Sequence, residues 1–229
     1  MKNVIKSDFF KLMRDRQTIF IFAIFIVYTI LDLATIGLTD FTSEEILMLV
    51  TSDFAVIFIV VTLVSTAVFA LDYSNATLKD ILPYFPRSTV YFSKWVSVIL
   101  VAVISLLFCY AVGAIAALFF AVDLISFQII LTYFIRFVTQ FVIILANIGF
   151  VLLLSSFFKH RYLMNTIILV SLIVVRFIPA GNSRFLFQML TEQYTWGSGI
   201  DAAFILLSVT ICSFFASIGF IRFINRGID

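Results

Sequence analysis

The sequence predicts an all-α integral membrane protein of six transmembrane helices, and three observations carry that prediction. First, 63% of its 229 residues are hydrophobic and only 12% are charged, with a mean hydropathy of +1.17. A soluble domain of this length could not hide so much apolar surface in one core. Second, the apolar runs are continuous and lack the alternation of a barrel strand, so they read as helices. Third, the runs recur at a length near the roughly 20 residues a helix needs to cross hydrocarbon.

The spans fall at about residues 18–38, 47–71, 95–120, 137–158, 163–178 and 200–221. The whole chain, 1–229, reads as one transmembrane domain. Ahead of the first span, residues 1–17 place Ile5, Phe9, Leu12 and Met13 on one helical face. Lys2, Lys6, Asp8, Lys11 and Asp15 fall mostly elsewhere. This pattern predicts an amphipathic helix lying in the membrane interface. The first span lacks a small-residue cleavage site after it, so it reads as a retained helix and not a signal peptide.

Orientation follows from the basic residues. With the N-terminus inside, twelve Lys and Arg fall on the cytoplasmic side and three (Arg136, Arg176 and Arg184) on or toward the outer side. That asymmetry predicts cytoplasmic termini on both ends. The outer segment 179–199 mixes Phe185, Leu186, Phe187, Tyr194 and Trp196 with polar residues and ends at Gly197-Ser198-Gly199. It reads as an interfacial or re-entrant piece.

Six polar positions lie in or near the spans: Asp32, Asp53, Arg136, Gln140, Asn147 and Arg176. A charge at the centre of a membrane helix costs about 2.5–3.5 kcal/mol on insertion scales, so such residues turn toward protein or water. They read either as braces between helices or as a lining for a pathway. Small residues gather at Gly113, Ala114, Ala116 and Ala117, and again at Cys212, Ser213, Ala216, Ser217 and Gly219. Both sets allow close helix approach.

Several function classes lack their signatures. The sequence has no HExxH helix, no GxSxG elbow and no phosphate loop of the G-x-x-x-x-G-K-[ST] type. Cys109 and Cys212 sit alone in separate apolar runs and read as core residues. The net charge of +2 gives no basis for nucleic-acid binding, and the basic residues follow the membrane topology. The 29 phenylalanines fit an A/T-rich bacterial genome.

The polar interruption at 72–94, DYSNATLKDILPYFPRSTVYFSK, separates the second and third spans on the predicted cytoplasmic side. Asn75 can cap a short helix over Ala76 to Leu82, and Pro83 would end it. A turn and a second short surface helix are expected to follow. The order Asp72-Tyr73, Thr77, Lys79, Leu82, Pro86-Arg87 and Ser93-Lys94 leading into a span resembles the ABC-2 type permease family. Ala76 stands where that family often has Gly. The basic N-terminal segment and the six-span layout are similar too.

The resemblance implies that the 72–94 loop is a coupling helix docking on a separate ATP-hydrolysing subunit. Asn75, Thr77, Lys79, Ile81, Leu82, Tyr84, Phe85 and Arg87 would form the docking surface. It further implies no catalytic or metal site in this chain, with ATP and Mg held by two copies of the partner ATPase. A second permease copy or paralogue would complete the transporter in the bacterial cytoplasmic membrane. Small Gram-positive permeases of this kind resemble exporters of amphipathic or antimicrobial peptides, including lantibiotic-immunity and phenol-soluble modulin systems. Two other classes stay open: an ion-coupled secondary transporter or channel using Asp32, Asp53 and Arg136, and a non-transporting membrane assembly or regulatory partner.

Overall fold

The computed structural model describes residues 2–36, 41–52, 54–74, 83–158, 160–177 and 202–225. Among them are eight helices: α1 (Lys2–Arg14), α2 (Arg16–Ile36), α3 (Ser43–Ser52), α4 (Phe54–Ser74), α5 (Arg87–Phe120), α6 (Phe127–Phe157), α7 (Arg161–Phe177) and α8 (Ala202–Asn225). No strand occurs among the described residues. The 34-residue α5 and the 31-residue α6 are long and apolar enough to cross a membrane by length and composition. Shorter apolar stretches lie at Arg16–Leu31, Ile59–Asp72 and Val209–Asn225.

The helix ends follow local chemistry. Asp15 interrupts α1 and α2 and caps the second: its Oδ2 accepts from the Thr18 amide at 2.9 Å and from the Thr18 hydroxyl at 2.6 Å. A short acidic side chain at that position satisfies a first-turn N–H that has no partner within the helix. α3 opens with a reciprocal capping box. The Glu45 carboxylate accepts from the Thr42 amide at 2.9 Å, and the Glu45 amide donates to the Thr42 hydroxyl at 3.3 Å. Pro86 precedes α5, where its fixed φ suits a helix start. Ser126 caps α6, accepting from the Ile129 amide at 3.3 Å.

α4, α5 and α6 pack together at the centre, with α2 against α4 and α7 on another side of α4. Their core includes Val61, Val64, Phe69, Val98, Leu106, Ile144, Ile148 and Leu152. α3 lies along α5, and a second, smaller cluster of Ile36, Ile46, Leu47, Val50, Ala116 and Ala117 fills that junction. The Asp123 carboxylate, in the turn between α5 and α6, accepts from the Ser43 amide at 2.5 Å and from its hydroxyl at 3.0 Å. An acid here also meets the positive end of α3.

The most extensive helix pair is α6 with α8. A Cβ built on Gly149 would stand 2.7 Å from the Cys212 carbonyl oxygen and 2.8 Å from its Cα. One on Gly219 would be 2.8 Å from the Tyr91 hydroxyl and 3.1 Å from the Leu152 carbonyl oxygen. The small residues read from the sixth apolar run thus line a real backbone approach, with Gly149 as the unforeseen partner. Gly113 of α5 makes room for side chains instead, its missing Cβ leaving space for the Tyr133 hydroxyl and Val50.

Three sequence expectations change. Residues 87–94 are the first turns of α5, continuous with the long helix, and not a separate surface helix. α6 begins at Phe127, so Gln128 and Arg136 belong to it from the start. The second apolar run contains two helices, α3 and α4, with residue 53 between them outside the described residues. The segment 179–199 also lies outside the described residues.

α1 is a helix as expected, and its inward face overlaps the apolar stripe at Phe9 and Leu12 but also takes in Asp8 and leaves Met13 out. Val4, Asp8 and Leu12 are buried, whereas Met13 is 77% and Phe10 57% exposed. Asp8 is drawn into this face by a cation of α5, Lys94. Its outward face carries Lys6, Phe10, Met13 and Arg14, with the Arg14 guanidinium 4.4 Å from the Phe10 ring centroid. Large apolar side chains are also exposed on the other helices, among them Phe20, Ile24 and Val27 of α2 and Leu118, Phe119 and Phe127 of α5 and α6. Large apolar side chains exposed in this number suit hydrocarbon better than water.

Candidate functional site

The two flanks of the polar loop meet inside the protein. Asp72 ends the core part of α4, and Lys94 lies two turns into α5; their side chains form an ion pair. Each is only 1% exposed. A long helix entered at Pro86 brings Lys94 level with the end of α4, because α4 and α5 pack side by side.

α1 completes the arrangement. Lys94 Nζ is 3.4 Å from Asp8 Oδ1, and Lys11 pairs with Asp72. The Lys94 ammonium also donates to the Val68 carbonyl at 2.8 Å and stands 5.5 Å from the Phe69 ring centroid. Its three N–H donors are therefore matched by three acceptors. Ser97 Oγ lies 3.1 Å from Asp8 Oδ2 and 2.9 Å from the Ser93 carbonyl, so its single proton serves either. Burial pushes the Asp8 carboxyl above the ordinary carboxylate range, and the neighbouring Lys94 ammonium opposes that rise.

Two carboxylates and two ammonium groups leave the cluster formally neutral. Isolated charges at this depth would be expensive, and matched partners are what make such burial tolerable. Chemically the cluster can hold three helices in register. Among the described residues no group of His, Cys, Asp and Glu could hold a metal ion.

The sequence pattern marks Asp72 and Lys94 as the ends of the loop without pairing them, and it places Asp8 off the apolar stripe without a partner. The available signal was Asp8 and Lys11 three residues apart on a helix, matching in sign the two loop flanks.

The other expected site residues are placed as follows. Asn75, Thr77, Lys79, Ile81 and Leu82 lie outside the described residues. Pro83, Tyr84 and Phe85 form a turn before Pro86. Tyr84 is 81% exposed, while Phe85 packs against the central core. The Arg87 guanidinium donates to the Ile224 carbonyl at 2.5 Å, close to the C-terminal end of α8, where a cation meets the negative end of the helix.

Of the intramembrane polar set, Arg136, Gln140 and Asn147 share α6 and turn toward neighbouring helices. Gln140 Oε1 accepts from the Tyr110 hydroxyl at 2.9 Å. The Asn147 amide donates to Thr62 of α4. Arg136 lies near Tyr110 and Tyr133, whose rings are 4.6 Å apart. Thr66, one turn from Thr62, reaches Asn165 of α7 at 2.5 Å. These contacts are interhelical braces. Asp53, and the side chains of Asp32 and Arg176, lie outside the described residues.

Residues 4–176 match the family described as ABC-2 family transporter protein, a span of more than half the chain. The chain belongs to the ABC-2 transporter family. No curated protein matches it. The family consists of membrane proteins whose subunits partner with ABC ATPases and are typically not catalytic themselves. The charge cluster joins the two helices that flank residues 75–82.

Proposed function

We propose that this chain is the permease subunit of an ATP-driven ABC exporter. In this reading it spans the bacterial cytoplasmic membrane six times, with both termini inside. It pairs with a second permease copy or paralogue and with two ATPase subunits, which hold ATP and Mg. Segment 75–87 is the docking element, with Leu82 and Tyr84 as its apolar contacts and Lys79 as its cation.

The family match over residues 4–176 carries the reading. The exposed Tyr84 beside a loop whose two flanks are tied to each other supports it further. A loop fixed at its base can pass a push to the helices on both sides, whereas a slack one would absorb it. The cargo we assign is an amphipathic peptide or similarly hydrophobic molecule, which suits a Phe-rich surface with few charges.

The test is purification from membranes followed by transport in vesicles. A separate ATPase is expected to co-purify, and inactivating its ATP site should stop export. Transport that persists without the ATPase and follows a proton gradient would overturn the proposal and favour an ion-coupled carrier. Leu82→Asp is expected to abolish ATPase association while membrane insertion is retained.

A further inference from the structure

α1 meets the two flanks of the loop with one opposite charge for each. Asp8 faces Lys94 of α5, and Lys11 faces Asp72 of α4. Three residues apart, Asp8 and Lys11 share a helical face. The Asp72–Lys94 pair by itself is neutral and would close the loop base without help. Adding a second, reversed pair from α1 takes two more charges largely out of water, a desolvation cost that their mutual attraction must offset. Apolar residues at 8 and 11 would pack α1 onto α4 and α5 without that desolvation cost.

What the charges add is dependence on spacing. The four groups match only while α4, α5 and α1 keep their relative positions, since an ammonium moved away from its carboxylate is left buried and unmatched. Apolar contacts slide at far smaller cost. The cluster thus makes the three helix ends move as one piece or not at all.

We infer that Asp8 and Lys11 are positioning residues for energy coupling, through which α1 clamps both flanks of segment 75–86 so that displacement of that segment moves α1, α4 and α5 together. This rests on the reading that a separate ATPase drives the chain. Asp8 and Lys11 act through Lys94 and Asp72 and touch neither nucleotide nor cargo.

The experiment compares Asp8→Asn, Lys11→Met and the double variant in the full permease–ATPase complex, measuring complex yield, thermal stability and export of a fluorescently labelled amphipathic helical peptide per ATP hydrolysed. Each single variant leaves one uncompensated buried charge and should lower stability. The double variant is neutral again, with Asp72 and Lys94 still paired, so its yield and stability should recover. Its export per ATP should nevertheless stay about tenfold or more below the native value, within the usual range of a coupling effect. Asp8→Glu should keep the native ratio. A double variant that recovers stability and exports at the native ratio would overturn the inference and leave the cluster a packing device. The same result follows if the double variant recovers neither. Failure of the underlying reading looks different: the native protein itself would export without the ATPase.

Discussion

Lys94 and Asp72 form a buried ion pair between the first turns of α5 and the last turns of α4. The pair closes the base of the loop they flank, and it does so at a depth where both side chains are sealed from solvent. Their position explains why a lysine can sit inside an otherwise apolar helix. Asp72, Asp8 and the Val68 carbonyl together take all of its donors.

Replacing Lys94 with Met keeps the length of the side chain and removes the charge. Among the described residues, Asp8 and Asp72 would then share only Lys11 as a nearby cation. Breaking a buried pair from one side costs about 3–5 kcal/mol, so Lys94→Met should unfold well below the native protein in a detergent thermal melt. A loss under about 1 kcal/mol, the size typical of an exposed pair, would show that the cluster is open to water.

Gly149 allows α6 to touch the backbone of α8 at Cys212. Any Cβ there must push the helices apart, because the atoms in its way are backbone and cannot rotate aside. Gly149→Ala should cost about 1–3 kcal/mol as overpacking, despite the better helix propensity of Ala. Ala111→Val, on an exposed position of α5, should stay within about 0.5 kcal/mol of the native protein. Equal effects of the two would argue against the close crossing.

How much of this was legible in the sequence depends on which force set each feature. Continuous apolar runs marked α2, α5 and α8 because hydrocarbon demands them over a fixed length. The small residues of α8 signalled a close approach, yet Gly149 in α6 was invisible as their partner, since one glycine carries no pattern. α1 is legible in part. Of the stripe Ile5, Phe9, Leu12 and Met13, Leu12 is buried and Phe9 packs on the core as hydrophobicity favours, whereas Met13 is exposed and Asp8 turns in to meet Lys94. The cost of polar groups in lipid indicates only that Arg136, Gln140 and Asn147 turn toward protein or water. Their partners Tyr110 and Thr62 could not be read, because the choice depends on which helices lie side by side.

Opposite faces of the membrane should be separable by labelling. Glu44 and Tyr84 are both exposed and belong to segments assigned to opposite sides by the Lys and Arg asymmetry. In a chain without Cys109 and Cys212, Glu44→Cys should react with an impermeant maleimide added to intact cells. Tyr84→Cys should react only after the membrane is opened. Reversed labelling would invert the topology and move the proposed docking loop to the wrong side for an ATPase.

The capping box of α3 should make that helix sensitive to acid. The Thr42 amide and hydroxyl both donate to the Glu45 carboxylate at 2.9 Å, which holds it below its ordinary 4.5, while the nearby Asp123 charge pushes weakly the other way. A carboxyl whose pKa is lower folded than unfolded stabilises the fold fully above the unfolded value. That contribution is lost as pH falls from about 4.5 through the lowered folded pKa. Protection of the α3 amides against hydrogen exchange, corrected for intrinsic rates, should therefore fall as pH is taken from about 6 to about 3. In Glu45→Gln the amide oxygen still accepts a hydrogen bond but does not titrate, so the decline should flatten. An undiminished decline in that variant would assign the acid sensitivity to another group, with Asp123 at the Ser43 amide the next to replace.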